Sequence, residues 1–443
     1  MQRSTFLKTS LLALGATGLP RFSIGQTKAE RRKLRIACIG VGVIGKGAVS
    51  SLASENIVAI CDVDTPYVAD VLKSQPQAKY FTDFRVMFEK MGNEIDAVTI
   101  STPDHAHFHI AMLAMSLGKH VYLEKPLAHK IEEIRLLQKR AKTAGVIDQM
   151  GNQGHSSEGI RLMKEWYDAG ILGEVREVHA WTDTPYEPFF LKNIRTPAVP
   201  GPVPEGLDWD LWLGPLAERP FCPDYVRKFW RGWWEFGGGM IGDNSPHTLD
   251  APFWALDLGE PERVEVELEG PPNAYYTPFV AKLVYHFPRR GALPPVKLHW
   301  YQGKPEAPEI ANLPDGFELN PRGMLMVGSR QTVYSPGYLP ESPRLVDGEA
   351  WNELRAHPVP KTIPRIKGGH YQGWLDHIRS GQPCSSNFAY GGALSELAVL
   401  GALAIRSGKS LDWDAAGMRV RNAPELNPFL HHQTRLGWDY RNV

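Results

Sequence analysis

A glycine-rich turn between a predicted strand and a predicted helix constrains the fold of this chain more than any other feature. The turn is Gly40-Val41-Gly42-Val43-Ile44-Gly45, and it directly follows the apolar run 34–39. Gly40 permits a sharp turn off the strand, Gly42 lets the backbone approach a pyrophosphate, and Gly45 lets the helix pack closely on the sheet. The free N–H groups at the start of a helix also favour a phosphate. The pattern therefore predicts a dinucleotide-binding turn.

A carboxylate at the end of the second predicted strand indicates which dinucleotide is bound. Asp62 follows the apolar run 57–61, at the distance expected for the residue that accepts hydrogen bonds from the adenosine ribose. A carboxylate at this place repels the 2′-phosphate of NADP, and no arginine follows it directly in 63–66. The sequence therefore favours NAD over NADP. Asp64 either shares this role or is a solvated turn residue.

The order of strands and helices changes near residue 150. Strand and helix patterns alternate over 33–150, which predicts an α/β Rossmann domain with a doubly wound parallel sheet. Later strands are grouped, which predicts an α+β domain with an open, mostly antiparallel sheet. A helix at 393–407 is expected to brace the first domain. The predicted organisation is an export signal and linker at 1–32, the NAD-binding Rossmann domain at 33–150, an α+β substrate and oligomerisation domain at 151–410, and a C-terminal extension at 411–443.

Bulk composition excludes several classes of partner and site. The 443 residues carry 49 basic and 49 acidic side chains, a balance that does not indicate a nucleic acid or an acidic membrane surface as partner. The four cysteines have neither disulfide nor zinc spacing. His105, His107 and His109 alternate at a predicted junction of strand and helix, where they would not share one face. The sequence therefore predicts no metal site.

The first residues are typical of an export signal. Arg3 and Lys8 form a basic start, and the weakly apolar run 11–19 follows, too short to span a bilayer. The piece 3–8 is similar to the twin-arginine export motif but has Ser4 in place of the second arginine. The sequence predicts a periplasmic protein, with a disordered cytoplasmic tail as the alternative. We expect no membrane span in the mature protein.

Two motifs outside the glycine turn could carry chemistry. Glu124-Lys125-Pro126 ends a predicted strand at the edge of the sheet where ligands bind, although a turn with a solvated lysine is the plainer interpretation. Asp243 and His247 follow the glycine run 237–239 at a spacing that places both on one face of a helix. A carboxylate and an imidazole on one face suit proton transfer. By spacing alone, a helix N-cap with a structural histidine is the simpler alternative.

Taken together, these segments resemble the Gfo/Idh/MocA family of glucose–fructose oxidoreductases, inositol dehydrogenases and their relatives. The resemblance covers residues 33 to 410. It rests on the glycine turn with Asp62, on Thr102-Pro103-Asp104-His105-Ala106-His107, on the segment 118–127, and on Asp243-x-x-x-His247 after a glycine run. It implies a Rossmann domain followed by an α+β domain whose open sheet often forms oligomer contacts, and therefore a dimer or tetramer.

The resemblance also implies which residues form the site. Lys125, Asp243 and His247 match the catalytic residues of the family. His247 would be the base, Lys125 would hold the substrate hydroxyl, and Asp243 would bind a substrate hydroxyl or orient His247. The implied cofactor contacts are Gly40, Gly42, Val43, Ile44, Gly45, Asp62, Thr102, Pro103, His105, His107, Glu124 and Lys125. Gln153 and His155 are further candidates for substrate binding, and the aromatic run 230–236 could stack on a sugar or form a core corner.

The resemblance implies an NAD(P)-dependent oxidoreductase acting on a secondary hydroxyl or keto group of a sugar, glycoside or cyclitol. An exported enzyme has no NAD pool to recycle its cofactor, so it should keep the cofactor and balance its redox chemistry within one site. Paired oxidation and reduction of two sugars satisfies this requirement. A redox-neutral glycosidase, which oxidises C3 transiently and eliminates the aglycone, also satisfies it. The further alternative is a dinucleotide-binding regulator without catalysis.

Overall fold

Six short apolar strands form the first sheet. They are β1 (Arg35–Ile39), β2 (Asn56–Cys61), β3 (Lys79–Phe81), β4 (Ala97–Ile100), β5 (His120–Leu123) and β6 (Asp148–Met150). All of them are parallel, in the order β3-β2-β1-β4-β5-β6. The order reverses between β1 and β4, and ligands of such sheets bind in the crevice beyond the carboxyl ends of the strands at this point. In this computed structural model residues 32–182, 194, 196–303, 313–314 and 316–442 are described, so the export motif at 3–19 lies outside the described residues.

Helices connect the strands of the first sheet. They are α1 (Val43–Ser51), α2 (Ala69–Ser74), α3 (Phe84–Met91), α4 (Asp104–Ser116) and α5 (Ile131–Ala144). Residues 36–39 of β1 and 97–100 of β4 are buried throughout, because helices cover both faces of the sheet. The strand and helix alternation therefore predicted the first fold correctly.

The start of α4 differs from the sequence expectation. The helix begins at Asp104, directly after Pro103, whereas the sequence placed the three histidines at a junction of strand and helix. His105, His107 and His109 all lie within the helix and are all buried. His105 and His109 are four residues apart and share one side of α4, so the expectation that these histidines lie apart at a junction is wrong. The helix is buried on nearly every side, which hides the polar/apolar periodicity from which its start could be read.

Nine strands form the second sheet, which is mostly antiparallel. They are β7 (Val175–Thr182), β8 (Arg263–Leu268), β9 (Ala281–Phe287), β10 (Val296–Gln302), β11 (Arg322–Gly328), β12 (Thr332–Pro336), β13 (Arg344–Leu345), β14 (Leu411–Asp414) and β15 (Arg419–Val420). The order is β13-β12-β11-β7-β10-β9-β8-β14-β15, and β7 and β10 are parallel. Side chains of β9 and β10 alternate between buried and partly exposed positions, as expected for a sheet with one open face.

Helices of the C-terminal two thirds lie against both sheets. They are α6 (Glu158–Asp168), α7 (Trp209–Leu213), α8 (Gly239–Thr248), α9 (Asp250–Ala255), α10 (Gly348–Ala356), α11 (Gly369–Ser380) and α12 (Phe388–Ser407). Pro246 lies in the last turn of α8, because the helix already begins at Gly239.

The long helix α12 braces the first domain, as the sequence predicted. Asn387 caps its start by accepting a hydrogen bond from the backbone of Tyr390, and Gly408 ends it in the left-handed conformation. The helix packs on α5, β6, α8 and β8. By length and apolar composition alone α12 could cross a membrane, which the sequence reading overlooked. However, 72% of its apolar window is buried inside the protein, the position expected of a core helix.

Residues far beyond 150 complete the core of the first domain. Trp374 and Leu375 of α11 pack with Ile36 and Val49, and Arg379 forms an ion pair with Glu55. The C-terminal segment after β15 also returns to the first domain, where Trp438 packs on Phe84 and under the guanidinium of Arg85. The first domain is therefore completed by two segments that follow β13 in the chain, α11 and the segment after β15.

Candidate active site

The glycine turn after β1 has no room for side chains at two of its positions. Gly40 has φ +74°, and a Cβ there would lie 2.8 Å from the backbone nitrogen of Thr102. A Cβ on Gly45 would lie 1.9 Å from the carbonyl oxygen of Gly40, so α1 packs directly on the turn. Gly42, Val43 and Ile44 line a cleft of about 980 Å³ beside it. Backbone N–H groups at the start of a helix and a cradle without side chains fit the pyrophosphate of a dinucleotide.

We expect Gly45→Ala to weaken NAD binding roughly tenfold, because the added Cβ overlaps the carbonyl oxygen of Gly40 and shifts the turn. Titration with NAD, followed by quenching of tryptophan fluorescence, measures the affinity. Gly47→Ala is the matched control, since a Cβ at this position of α1 meets nothing within 4 Å. Its affinity should equal that of the wild type. Equal affinities for the two variants would contradict this interpretation of the turn.

Asp62 lies at the end of β2 and lines the cleft. Its carboxylate accepts hydrogen bonds from the backbone N–H of Val41 at 2.8 Å and of Asp64 at 3.0 Å. Burial raises the pKa of the Asp62 carboxyl to about 6, although these backbone hydrogen bonds oppose the shift. Asp62 is therefore mostly ionised at neutral pH, as an acceptor for ribose hydroxyls must be. Asp64 lies beside it in the cleft.

Several residues of the cleft come from parts of the chain that the sequence did not connect with the glycine turn. Tyr67, Trp212, Trp230 and Trp438 line it together with Arg227. The guanidinium of Arg227 lies 4.0 Å from the carboxylate of Asp64 and 5.1 Å from the ring centre of Tyr67. Arg227 therefore reaches the side of the cleft where the ribose is expected, but the carboxylate of Asp64 faces its guanidinium.

Thr102 and Pro103 lie where the sequence placed them, in the wall of the cleft. Thr102 and its neighbour Ser101 have buried hydroxyl groups without a hydrogen-bond partner among the described residues. Buried polar groups are usually satisfied, so two orphaned hydroxyls in a cleft indicate a ligand that supplies the missing partners. Two parts of the cleft therefore fit a dinucleotide. One is the glycine turn after β1, and the other is the pair Ser101 and Thr102 after β4.

Apart from Gly45, which packs on the turn, four predicted cofactor contacts are not among the described residues that line the cleft: His105, His107, Glu124 and Lys125. Among the described residues that line the cleft, neither His105 nor His107 is present. Nε2 of His105 lies 2.9 Å from the carbonyl oxygen of Trp212, and the two ring nitrogens of His107 each lie 2.9 Å from the carbonyl oxygens of Pro126 and Thr102. These rings hold loops together behind the cleft. The direct contact of both histidines with the cofactor stays a prediction, and the geometry shows their ring nitrogens on carbonyl oxygens.

Glu124 also points away from the cleft. Its Oε1 accepts a hydrogen bond from Nε2 of Gln153 at 3.0 Å and one from the hydroxyl of Tyr371 at 3.4 Å. Burial raises the pKa of the Glu124 carboxyl to about 7, and the nearby charge of Lys125 opposes this. Gln153 also donates to the hydroxyl of Tyr122, so its amide group connects Glu124 with Tyr122. Glu124 and Gln153 form one buried polar group behind Lys125.

Lys125 and Asp243 meet although they are 118 residues apart in the chain. Nζ of Lys125 donates to Oδ1 of Asp243 at 2.7 Å, and Nε of Arg231 donates to the same oxygen at 3.1 Å. Burial alone would raise the pKa of the Asp243 carboxyl, but Lys125 and Arg231 outweigh it and hold the pKa well below its ordinary value. Asp243 is therefore a fixed negative charge between two cations. The Lys125–Pro126 peptide bond is cis.

Arg231 connects this cluster with the cleft, and the sequence analysis missed it. It lines the cleft and holds Asp243 at the same time. The aromatic run 230–236 around it divides between two roles. Trp230 faces the cleft, whereas Trp233, Trp234 and Phe236 are buried at 3% exposure or less, which favours the core-corner alternative for these three.

Asp104 adds a third carboxyl to the cluster. It is buried at the start of α4. Burial raises the pKa of its carboxyl to about 7, opposed by the charges of Lys125 and Arg231 and assisted by Asp243. The cluster therefore combines one permanent anion with two carboxyls, Asp104 and Glu124, that change protonation near neutral pH.

His247 lies on α8, one turn after Asp243, and is 7% exposed. Its Nδ1 has no hydrogen-bond partner in the described part of the chain, and the ring of Tyr338 lies edge-on to it at 5.5 Å. Burial and the charge of Lys125 lower the pKa of His247 to about 3, although Asp243 opposes the shift. The imidazole is therefore neutral and able to accept a proton. Since Nδ1 is unbonded, Asp243 does not orient the ring through that nitrogen.

His155 is a structural residue in this fold. Its Nδ1 lies 2.9 Å from Oδ1 of the fully buried Asp250, which also accepts hydrogen bonds from Asn152 and Tyr390. The ring packs between Trp254 and Tyr390 and is 1% exposed. This network joins the start of the second domain to α9 and α12. The geometry favours the structural alternative for His155 over substrate binding.

Comparison with known proteins gives matches to two parts of one family. Residues 34–152 match the "Oxidoreductase family, NAD-binding Rossmann fold", and residues 157–282 match the "Oxidoreductase family, C-terminal alpha/beta domain" of Gfo/Idh/MocA proteins. Together the two matches span more than half of the chain. The first domain is therefore an NAD-binding Rossmann fold.

Two curated relatives illustrate the range of related activities. The chain is 30% identical over 146 residues to scyllo-inositol 2-dehydrogenase (NAD(+)) of Bacillus subtilis, which covers 32% of this chain and 42% of that protein. It is 31% identical over 159 residues to glycosyl hydrolase family 109 protein 2 of Shewanella sp. strain ANA-3, covering 30% and 35%. The chain thus matches less than half the length of these curated relatives.

A solved structure shares the whole fold. The WlbA dehydrogenase of Bordetella pertussis, in complex with NADH and UDP-GlcNAcA, has a TM-score of 0.60 and is 18% identical. The match covers 86% of this chain and 99% of that one. At this identity the likeness establishes a common fold of two domains.

Proposed function

Because the chain belongs to the Gfo/Idh/MocA oxidoreductase family, we propose that it is an NAD-dependent oxidoreductase acting on a secondary hydroxyl or keto group of a sugar, glycoside or cyclitol. The observation that carries this proposal is the position of Arg231. This side chain lines the dinucleotide cleft and also bonds Asp243, which in turn bonds Lys125. The side chain of Arg231 therefore connects the pair of Lys125 and Asp243 with the cofactor site.

The residues of the cluster have the properties that alcohol oxidation requires. Bound NAD supplies the hydride acceptor. Lys125 carries the positive charge that holds the reacting oxygen and stabilises negative charge that develops on it. His247 is neutral and its Nδ1 has no hydrogen-bond partner among the described residues, and we assign it as the base that takes the hydroxyl proton. Asp243 and Arg231 fix the ammonium group of Lys125 in place, which makes them positioning residues.

The substrate class is supported by two properties of the pocket. The cluster is mostly buried, and its donors and acceptors are closely spaced, as recognition of a polyol requires. One relative is named for oxidation of an inositol, and the structural neighbour holds a sugar nucleotide.

We expect NADH to form when the protein is mixed with NAD and a cyclitol, an aldose or a glycoside. Absence of NADH across all three classes would argue against net oxidation.

A redox-neutral glycosidase is the second candidate, favoured by the match to a family 109 glycosyl hydrolase. In such a reaction the cofactor is oxidised again before products leave, so it need not dissociate. The export signal that we propose at the N-terminus would fit a retained cofactor for the same reason. The Glu124-Lys125-Pro126 turn favours the plain oxidoreductase instead, since glycosidases related to this family tend to lack it.

Purification without added cofactor distinguishes the two candidates. The mature protein is denatured and the supernatant is assayed for nicotinamide dinucleotide. About one NAD per chain, together with release of the aglycone from a chromogenic glycoside, would support the redox-neutral reaction. A protein that is empty and forms NADH from added NAD would support the conventional dehydrogenase.

We expect the affinity for NAD to fall as the pH decreases through about 6, because the ionised carboxylate of Asp62 accepts the ribose hydrogen bonds. The pKa of this group is raised from 3.8, so the binding form is present above about 6 and is lost below it. Well below pH 6 the affinity for NAD should fall about tenfold per pH unit. Titration with NAD between pH 5 and 8 measures this dependence. In Asp62→Asn the affinity should be low and independent of pH. Asp64→Asn is the control, and a pH dependence that disappears in this variant would assign the role to Asp64.

A further inference from the structure

A buried histidine without hydrogen bonds lies behind the dinucleotide cleft. His109 of α4 is 1% exposed, and both of its ring nitrogens lack a hydrogen-bond partner among the described residues. Buried imidazoles normally use at least one nitrogen in a hydrogen bond. Two unsatisfied nitrogens therefore indicate a missing ligand.

Two further ligand-type side chains surround His109. His432 comes from the C-terminal segment and Glu133 from the first turn of α5, and both are buried. The ligand atoms of His109, Glu133 and His432 all lie within 4.8 Å of one another. Nδ1 of His432 bonds Glu133 at 2.7 Å, whereas its Nε2 lacks a hydrogen-bond partner in the described chain and lies 3.8 Å from a carboxylate oxygen of Asp439.

We propose that His109, Glu133 and His432 bind a single zinc ion or a similar divalent transition metal. Two imidazole nitrogens and a carboxylate oxygen are a common ligand set for such an ion, which lies about 2 Å from each ligand. Tetrahedral ligands at that distance are roughly 3.3 Å apart, so small rotations of the three side chains close the site. Asp439, whose side chain is 45% exposed, lies on the solvent side of the cluster. This proposal replaces the sequence expectation of no metal site.

The surroundings of the cluster indicate a structural ion. The rings of Phe108, Trp438 and Tyr440 pack around the two histidines at 4.9 to 6.2 Å and leave an apolar enclosure. The ion would join α4 and α5 of the Rossmann domain to a segment that follows the second sheet. Trp438, six residues after His432, lines the dinucleotide cleft. The metal would therefore hold one wall of the cofactor site in place.

A second cluster of ligand-type residues lies on the open face of the large sheet, and a test must distinguish metal bound there from metal bound at His109. It consists of Glu177, His179 and His299. The nitrogens Nε2 of both histidines lie 3.3 Å from Oε1 of Glu177, and Nδ1 of His179 lies 3.1 Å from the hydroxyl of Tyr301. Both ring nitrogens of His299 also lack a hydrogen-bond partner among the described residues, but the side chain of Glu177 is 48% exposed, so this cluster is less enclosed than the first. His299→Gln removes one of its ligands.

Zinc retention by the full, untagged chain carrying His299→Gln tests the proposal. The protein is stripped with a chelator, given one equivalent of zinc, desalted, and analysed by atomic emission. We expect about one zinc per chain and an increase in Tm of roughly 2–4 °C. His432→Gln and Glu133→Gln should each lose most of the bound zinc and all of the increase in Tm. The control His357→Gln, on the exposed end of α10, should retain both.

Two results would overturn the proposal. One is a chain that retains no zinc after desalting, and the other is equal retention in His432→Gln and in the His357→Gln control. Cobalt binding gives a second readout that does not depend on variants, since Co²⁺ in a tetrahedral site of nitrogen and oxygen ligands shows intense visible bands. A weak octahedral spectrum from stripped protein with one equivalent of Co²⁺ would likewise argue against a closed site.

Discussion

Replacing Lys125 by methionine is expected to lower kcat by about 10²–10³-fold, the effect of removing one preorganised donor from the reacting oxygen. Methionine keeps most of the volume of the side chain but carries no charge. Asp243 keeps its contact with Arg231 at 3.1 Å, so the carboxylate is not left unpaired and the fold should survive. Since Lys125 does not line the described dinucleotide cleft, the affinity for NAD should change less than threefold. Steady-state kinetics and NAD titration of the same preparation measure the two quantities.

Lys119→Met is the matched control for this prediction. Lys119 precedes β5 and Lys125 follows it, so the two lysines lie at opposite ends of one strand. Nζ of Lys119 donates to the carbonyl oxygen of Gly92 at the edge of the sheet away from the cleft. The control should lose little stability and keep its kcat. A Lys125→Met enzyme that is as active as this control would remove Lys125 from the mechanism.

Replacing His247 by glutamine is expected to lower kcat by about 10²–10⁴-fold, the usual contribution of a general base. Glutamine preserves polarity and much of the size but cannot take a proton. Because the pKa of His247 is lowered to about 3, the base is in its neutral form throughout the working pH range. Loss of activity of the wild type near pH 6 should therefore follow other groups, and it should not follow protonation of this imidazole.

His155→Gln separates catalysis from folding. His155 bonds the buried carboxylate of Asp250, and its loss leaves that network short of a donor. We expect the free energy of unfolding to fall by about 1–3 kcal/mol, whereas the kcat of the folded protein should not change. Denaturant unfolding and active-site-normalised kinetics measure both. If the two variants lose kcat equally, the distinction between His247 and His155 drawn from their surroundings is wrong.

Features with a local cause were predicted from the sequence. The glycine turn, Asp62 and both sheets follow from short-range patterns, because turn conformation and strand alternation depend on neighbouring residues. The spacing of Asp243 and His247 on one helix was also readable, although the helix start near Gly239 left Pro246 in its last turn. These patterns are enough for the fold class and for the edge of the sheet at which the site lies.

Features that depend on distant segments could not be predicted. Arg231 reaches Asp243 only through the fold of the aromatic run, and Trp438 reaches the cleft only because the C-terminal segment returns to α3. His105 and His107 were assigned to the cofactor through the family resemblance, and a sequence does not show that their ring nitrogens lie on carbonyl oxygens of distant loops. The contact of His109 with His432 spans more than three hundred residues, and one sequence carries no signal for it.

We propose that this site transfers a hydride between NAD and a carbon that bears a hydroxyl group. A single-turnover experiment tests it most directly, with enzyme in excess over NAD and a panel of cyclitols, aldoses and glycosides, followed by absorbance of reduced nicotinamide. We expect absorbance to rise with at least one substrate class, in a sustained way for a dehydrogenase and transiently for a redox-neutral reaction, and we expect no rise in Lys125→Met. Complete binding of the added NAD without reduced nicotinamide from any substrate class would refute this proposal.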